Sequence, residues 1–451
     1  MPNRSRHGRT EPTRTNGTGP GDRAARAKQR AFCIGVLEAG DDLSELRELL
    51  RTAGVAVVGQ EVQHREQVHP NTYVGPGKLE EIKELAKAAD ANVIAVDDEL
   101  TPRQERNMEA ALGIPVVDRT ATILDIFAGH AHSAEGKLQV ELAQLQYNLA
   151  RMRGLWTHLE RLGGGIGTRG PGESQIETDR RLARDRISAL KRKLVEVQGT
   201  RAVMRAERER AHLPQIALAG YTNAGKSTLL NQLTGSEVGV RDRLFHTLDP
   251  TTRTWRLHGR TYLMTDTVGF IRKLPHQLVQ AFGATLEETR LADLVLHVVD
   301  ASGDEEERTL MMHAVDEVLE EIGAGDRPRL LVLNKIDALE PEDREILARR
   351  FPDAVLVSAV TGEGVAAFGE RIAEEFERRL QDVELLLPYS EGARLAELHD
   401  IAGDLQREDT PEGVLVQARL PGSVAERFGR FLVRAGHLAE RAVVPAGDRD
   451  R

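Results

Sequence analysis

The stretch from Gly220 to Thr228, GYTNAGKST, constrains the fold more than any other part of the chain. It follows the apolar run Ile216–Ala219, which is typical of a short buried strand, and it leads into Leu229–Leu233, which is typical of a helix. In that context the pattern GxxxxGKS predicts a loop whose backbone N–H groups and helix N-terminus hold phosphate groups. We therefore expect phosphate contacts from eight consecutive residues: Gly220, Tyr221, Thr222, Asn223, Ala224, Gly225, Lys226 and Ser227.

Side chains inside and after this loop add the remaining phosphate chemistry. The Lys226 ammonium can reach the outer phosphates, and the Ser227 hydroxyl can ligate a magnesium ion. Two hairpin strands further on end in the motif DTVG, in which the Asp266 carboxylate is expected to hold magnesium through water. The N–H of Gly269 is expected to meet the γ-phosphate, so that loss of this phosphate releases the loop.

A second hydroxyl ligand for magnesium is expected from the segment FHTLDPTT, residues 245–252. Thr247 is our assignment. Thr251 and Thr252 remain alternatives, because spacing alone does not exclude them.

Base recognition is indicated by two later strand ends. The apolar run Leu330–Leu333 leads into NKID, whose Asp337 carboxylate can accept both N–H donors on the Watson–Crick edge of guanine. The run Val355–Val357 leads into Ser358-Ala359, where a backbone N–H can meet the guanine carbonyl. Because ligands bind at the carboxyl ends of such strands, the ordered motifs together predict a GTP-binding domain over residues 213–380.

One position departs from the pattern of Ras-like GTPases. The residue after DTVG is Phe270, where those proteins place the glutamine that orients the attacking water. A phenylalanine side chain has no group that can do this. We expect slow, magnesium-dependent hydrolysis of GTP to GDP and phosphate unless a partner or another residue of the switch completes the site.

The rest of the chain divides by composition and pattern. Residues 1–30 are basic and almost without apolar side chains, which favours a disordered tail. Residues 31–132 alternate short apolar runs with helical stretches, which predicts a small parallel α/β domain. Residues 381–451 suggest a small α+β appendage, with a strand over Gly413–Leu420 and a helix over Val424–Ala435. The predicted fold class is therefore α/β, with a P-loop domain whose sheet is mostly parallel and has helices on both faces.

Residues 133–212 carry a different pattern. Leucines and other apolar residues recur at steps of four and three in two segments, which predicts an antiparallel helical hairpin. Its tip would be the glycine-rich run 163–172. The segment holds sixteen Lys or Arg against ten Asp or Glu in a chain of net charge −10, so it is the basic element. A solvated charged face and a coiled-coil arm for docking proteins are the alternatives to an RNA-binding role.

Composition limits the remaining possibilities. No apolar run approaches the roughly 18–20 residues that span a bilayer, and the N-terminus lacks the apolar core of a signal peptide. The single Cys33 excludes an internal disulfide. We expect a cytoplasmic monomer without integral membrane association and without a DNA partner.

Two further stretches carry a family resemblance. NTYVGPGK at 71–78 and GPGESQIETDRR at 170–181, placed before a phosphate loop that reads GYTNAGKS, resemble the HflX family of bacterial GTPases. The resemblance implies binding to the large ribosomal subunit and its RNA, and the splitting of stalled or stressed ribosomes. It also implies magnesium ligation by Ser227 and Thr247. The nucleotide contacts that it implies beyond the phosphate loop are Phe245, His246, Thr247, Leu248, Asp249, Asp266, Thr267, Val268, Gly269, Asn334, Lys335, Ile336, Asp337, Ser358, Ala359 and Val360.

Two other functions remain open at this point. A GTPase that assists assembly of the large subunit would use the same RNA contacts at a different stage. A signalling GTPase would bind proteins only. The salt dependence of binding distinguishes these possibilities. Affinity for an RNA partner should fall steeply as salt rises, whereas affinity at a mainly apolar protein interface should be less sensitive.

Overall fold

The computed structural model describes residues 29–38, 42–65, 67–152, 172–210, 213–235, 244–245, 250–275, 278, 283–402 and 405–435. Its contacts divide the chain into two compact units. The first comprises residues up to Ile126 together with a short segment that begins at Ala150, and the second comprises the remainder. In the part of the chain that is described, no helix is both long and apolar enough to cross a membrane.

The first unit is built on a four-stranded parallel sheet in the order β2-β1-β3-β4. Strand β1 is buried along almost its whole length, as expected for a parallel strand covered on both faces. Helix α3 begins with a capping box between Thr101 and Gln104. The elements are β1 (Arg30–Leu37), α1 (Ser44–Ala53), β2 (Ala56–His64), α2 (Pro76–Ala88), β3 (Val93–Val96), α3 (Pro102–Leu112) and β4 (Val116–Val117).

A buried ion-pair network closes the carboxyl end of this sheet. Arg151 donates to Glu105 at 2.6 Å, to Asp118 at 2.8 Å and to the carbonyl of Leu100 at 2.8 Å. The Asp118 side chain is fully buried, and Arg151 is the cation that balances its charge. This pairing fixes the chain just before the segment 153–171, which lies outside the described residues.

Three helices follow β4: α4 (Arg119–His130), α5 (Ala134–Arg151) and α6 (Gly172–Arg210). Leu142 of α5 packs against Leu190 and Leu194 of α6, so the two predicted apolar seams do face each other. Arg186 and Glu141 form an exposed ion pair beside this seam, at 2.6 Å. The predicted tip at 163–172 lies outside the described residues except for its last residue, at which α6 begins.

The nucleotide-binding fold has a six-stranded sheet in the order β10-β9-β8-β5-β7-β6, parallel except for β6. The alternate residues of β8 face opposite sides of the sheet. Leu296 packs with α7 and α11, whereas Val299 packs with α9 and α10, so helices cover both faces and the predicted fold class is confirmed. The elements are β5 (Gln215–Gly220), α7 (Lys226–Thr234), β6 (Thr251–Leu257), β7 (Arg260–Asp266), α8 (Gly283–Leu291), β8 (Leu294–Asp300), α9 (Glu305–Glu321), β9 (Arg329–Asn334), α10 (Pro341–Arg350), β10 (Val355–Leu356) and α11 (Val365–Glu377).

The C-terminal part is a β-α-β-β-α-β arrangement whose antiparallel sheet has the order β12-β13-β11-β14. The helix predicted over Val424–Ala435 is wrong in its second half. Helix α13 ends at Arg427, and Leu432–Ala435 form an edge strand on β11. The elements are β11 (Leu380–Leu387), α12 (Gly392–Ala402), β12 (Leu405–Thr410), β13 (Gly413–Pro421), α13 (Gly422–Arg427) and β14 (Leu432–Ala435).

Candidate nucleotide-binding site

The predicted phosphate loop connects the end of β5 to the start of α7. Gly225 has φ +90°, and a Cβ atom there would lie 2.2 Å from the amide nitrogen of Asn334. Gly220 is equally constrained, because a Cβ atom on it would lie 2.2 Å from the carbonyl oxygen of Val298. Gly220 is therefore required by the close approach of β8, and Gly225 by its positive φ and the Asn334 side chain, in addition to any requirement set by an anion.

Lys226 is buried beneath the loop that it follows. Its Nζ donates to the carbonyl oxygens of Gly220 at 3.0 Å and Tyr221 at 2.8 Å. Burial lowers the pKa of Lys226 to about 8, and the nearby Asp266 carboxylate partly opposes this shift. The ammonium is thus held inside the loop, where the negative charge of a phosphate would stabilise its protonated form.

Asp266 and Thr267 lie at the end of β7, next to the start of α7. The Ser227 hydroxyl donates to an Asp266 carboxylate oxygen at 2.5 Å, and Asp266 is fully buried. The Thr267 hydroxyl donates to the carbonyl of Leu218 at 2.7 Å, which ties this strand end to β5. The structure therefore brings together two of the three side chains that the sequence assigned to a magnesium ion, Ser227 as a ligand and Asp266 through water.

The segment after β7 pairs directly with the phosphate loop. The Thr222 N–H donates to the carbonyl of Phe270 at 2.7 Å, and the Phe270 N–H donates to the carbonyl of Gly220 at 3.1 Å. The Phe270 side chain is 1% exposed. The tyrosine hydroxyl of Tyr221 accepts from the N–H of Arg272 at 2.9 Å. The position that holds glutamine in Ras-like proteins is thus turned into the interior here.

Asn334 links three segments of the predicted base site. Its amide nitrogen donates to the carbonyl of Ala224 at 2.8 Å, and its amide oxygen accepts from the N–H of Ala359 at 3.0 Å. Lys335 has φ +66° and pairs with Asp300 at 2.6 Å. The phosphate loop and the two base-site segments are therefore positioned by one buried amide.

Asp337 and Ser358, which follow β9 and β10, contact each other directly. The Ser358 hydroxyl donates to one oxygen of the Asp337 carboxylate, Oδ1, at 2.6 Å. Ile336 and Ala359 are buried, whereas Val360 is 75% exposed. The predicted residues after β9 and β10 are thus adjacent, as an adjoining base site requires.

The segment expected to carry the second magnesium ligand is described only in part. Phe245 has φ +53° and packs edge-on against Phe127 of α4, with 4.6 Å between ring centroids. His246, Thr247, Leu248 and Asp249 lie outside the described residues. Of the alternatives, Thr252 lies in β6, and its hydroxyl is hydrogen-bonded to that of Thr265 at 2.9 Å.

His297 is a residue that the sequence reasoning missed. It lies in the middle of β8, level with Ala219 of β5, and is 5% exposed. Burial lowers the pKa of His297 to about 4. Its Nε2 atom has no hydrogen-bond partner among the described residues. A histidine within the apolar run LVLHVV was the available signal, since charged or polar side chains are rare in a central strand.

Three family models match consecutive parts of the chain. They are described as GTP-binding GTPase N-terminal over residues 40–128, GTP-binding GTPase Middle Region over residues 130–208, and 50S ribosome-binding GTPase over residues 215–335. The last of these spans the phosphate loop and ends just after Asn334.

Curated relatives match over most of the chain. GTPase HflX of Lacrimispora saccharolytica is 46% identical over 390 residues, which is 86% of this chain and 91% of the relative. GTPase HflX of Escherichia coli K12 is 46% identical over 388 residues, which is 84% of this chain and 90% of the relative. Among solved structures, a GTP-binding protein of Sulfolobus solfataricus in complex with GDP is 26% identical, with a TM-score of 0.40, and the match covers 77% of this chain and 98% of that one.

Proposed function

Because the chain belongs to the HflX family of GTPases, we propose that it binds the large ribosomal subunit and uses GTP to split stalled or stressed ribosomes. The observation that carries this proposal is the match of residues 215–335 to the 50S ribosome-binding GTPase model. Hydrolysis of GTP itself follows from family membership. Because a protein that acts on ribosomes is expected where ribosomes are, we also propose a cytoplasmic location.

The second arm of the helical hairpin supports an RNA partner. Helix α6 exposes basic side chains between Arg181 and Lys193, and three of them, Arg181, Arg184 and Arg192, recur at helical spacing. Arginines on one face of a helix suit the phosphate backbone, which is their commonest contact in RNA and DNA complexes. Helix α6 carries eleven Lys or Arg against seven Asp or Glu in a chain of net charge −10, so its charge favours an approach to ribosomal RNA.

Magnesium is the proposed companion of the nucleotide. Ser227 and Asp266 present hydroxyl and carboxylate oxygens 2.5 Å apart, and these are the hard ligands that Mg²⁺ prefers. They fit the ion, with Ser227 and Thr247 as the proposed direct ligands and Asp266 proposed to hold the ion through water. When bound, the ion neutralises charge on the phosphate oxygens. Lys226 is proposed to contact the outer phosphates, and Gly269 the γ-phosphate.

Guanine is the proposed base. The Asp337 carboxylate, held by Ser358, is proposed to accept the two N–H donors on the guanine edge. Asn334 contributes to this site indirectly. Its amide nitrogen holds the carbonyl of Ala224, and its amide oxygen holds the N–H of Ala359. The remaining residues expected from the family, including Lys335 and Val360, are proposed as further contacts to the nucleotide.

Co-sedimentation tests the proposal. The full chain is centrifuged with intact ribosomes and with separated subunits, in the presence of GDP or a non-hydrolysable GTP analogue. Binding to the large subunit with the GTP analogue, and a fall in light scattering of intact ribosomes with GTP, are the expected results. Retention on large subunits without any splitting would instead favour an assembly factor.

Charge reversal tests the RNA contact. The double variant Arg181→Glu with Arg184→Glu is expected to weaken subunit binding and to flatten its salt dependence, because each phosphate contact adds to the slope. Arg349→Glu is the matched control, since that side chain is 75% exposed on α10 and far along the chain from the hairpin. Equal weakening by both changes would exclude a specific role for α6.

A further inference from the structure

The hydroxyl of Thr222 is an unexplained polar group in the phosphate loop. Thr222 is 6% exposed, and its Oγ1 has no hydrogen-bond partner among the described residues. The backbone N–H of the same residue is already used, since it donates to the carbonyl of Phe270. A buried hydroxyl without a partner costs free energy, so its presence requires a reason.

The position of Thr222 supplies that reason. A Cβ atom on Gly269 would lie 2.9 Å from both Cα and Cγ2 of Thr222 and 3.1 Å from Nζ of Lys226. The backbone and methyl group of Thr222, the ammonium of Lys226 and the glycine proposed to sense the γ-phosphate therefore lie close together. This inference thus rests on the proposed placement of the γ-phosphate beside Gly269, and extends it to a residue with no assigned role in hydrolysis.

Among the described residues, Phe270 occupies the position that holds the water-orienting glutamine in Ras-like proteins. Phe270 is buried and offers no polar side chain to the attacking water. A threonine hydroxyl can donate one hydrogen bond and accept another at the same time. We propose that the Thr222 hydroxyl donates to a γ-phosphate oxygen and accepts from the attacking water, and so positions that water for hydrolysis.

The step balances without any further reactant. The water oxygen forms a bond to the γ-phosphorus while the bond from phosphorus to the β–γ bridging oxygen breaks, and its electron pair leaves with GDP. The proton lost by the water passes to a γ-phosphate oxygen. Thr222 keeps its own proton throughout, so it orients the nucleophile and does not act as a base.

Two substitutions distinguish the effect of the Thr222 hydroxyl from the effect of the side chain's shape. Thr222→Val keeps the methyl group against Gly269 and removes the hydroxyl, whereas Thr222→Ser keeps the hydroxyl. Single-turnover GTP hydrolysis is measured on the full chain without ribosomes, together with GDP affinity. We expect Val to slow hydrolysis by about tenfold or more and Ser to stay within about threefold. GDP affinity should fall by much less than the rate in both variants, because the side-chain hydroxyl is proposed to contact only the γ-phosphate, which GDP lacks.

Thr289→Val is the matched control. Thr289 of α8 is fully buried, and its hydroxyl, like that of Thr222, has no partner among the described residues, but it lies outside the loop. Both valine variants should unfold at the same or higher denaturant concentration than wild type, since neither loses a hydrogen bond. Only Thr222→Val should slow hydrolysis.

Three outcomes would overturn the inference. They are wild-type hydrolysis by Thr222→Val, an equal loss in Thr222→Ser, or a loss of GDP affinity that accompanies the loss of rate. Because ribosomes are absent from these measurements, a failure here is distinct from a failure of the ribosomal proposal.

Discussion

The buried histidine of β8 makes the stability of the nucleotide-binding fold sensitive to acid. His297 has an ordinary pKa of 6.5, which burial lowers to about 4 in the folded chain. Asp316, 3.9 Å from Nδ1, favours the protonated form, whereas Arg329 and Lys226 oppose it. The folded state therefore binds fewer protons than the unfolded state between pH 4 and pH 6.5, so stability falls as pH falls through this window.

The size of the effect follows from these two pKa values. They differ by about 2.5 pH units, so the whole loss, complete near pH 4, is about 3 kcal/mol. Between pH 7 and pH 5 the expected part of that loss is about 2 kcal/mol, since the unfolded imidazole is almost fully protonated at pH 5 while the folded one is not. His297→Phe removes the titrating group and should remove this part of the acid sensitivity.

Urea unfolding at pH 7 and pH 5 measures the difference. Trp255, buried in the core of this sheet, reports its unfolding by fluorescence once Trp156, the other tryptophan, is replaced by Phe. His313→Phe is the control, because that imidazole is 73% exposed. If His297→Phe loses as much free energy between the two pH values as wild type does, the buried imidazole is not the source of the sensitivity and the reasoning is refuted.

Three other substitutions test the packing and the base site. Arg151→Met removes the ion pair with the buried Asp118 and should lower the free energy of unfolding, measured by urea titration, by about 3–5 kcal/mol. Arg186→Met is the control, because it removes an exposed ion pair and should lower that free energy by less than about 1 kcal/mol. Asn334→Ala leaves two buried backbone groups unpaired, so calorimetry should show lower stability by about 2–4 kcal/mol and weaker GDP binding. Asp337→Asn should weaken GTP binding by about 2–3 kcal/mol and confer binding of xanthosine triphosphate, and unchanged GTP affinity in an equilibrium titration would remove Asp337 from the base site.

Much of the fold could be predicted because the sequence patterns that indicate it are local. The phosphate loop, the DTVG segment and the NKID segment each follow a short apolar run, and each such run is a strand of the sheet. Parallel strands end at a common edge, so the order of the motifs was enough to predict that they meet. The structure brings Ser227 to Asp266 and Asp337 to Ser358 accordingly. Their contacts with nucleotide stay predictions.

The features that the sequence did not reveal depend on distant parts of the chain. Leu432–Ala435 form a strand because they pair with β11, about fifty residues earlier, and no local pattern records that partner. Strand β2 extends to His64, well beyond the apolar run Val55–Val58 that is visible in the sequence, because β1 offers a partner along its whole length. The burial of Phe270 likewise follows from its pairing with the phosphate loop. Propensity within a window cannot report such pairings.

The backbone pairing between Phe270 and the phosphate loop has an evolutionary consequence. Its two hydrogen bonds fix the direction of the side chain, so a glutamine introduced by mutation at this position would enter the interior and not the solvent-facing cleft. There its amide would be buried without partners, at a cost of about 1–3 kcal/mol. A single substitution thus gives a less stable protein with no catalytic gain. A protein with this Phe270 pairing can therefore evolve into a GTPase that depends on glutamine only if the backbone pairing changes at the same time. Single substitutions do not connect the two kinds of catalytic site.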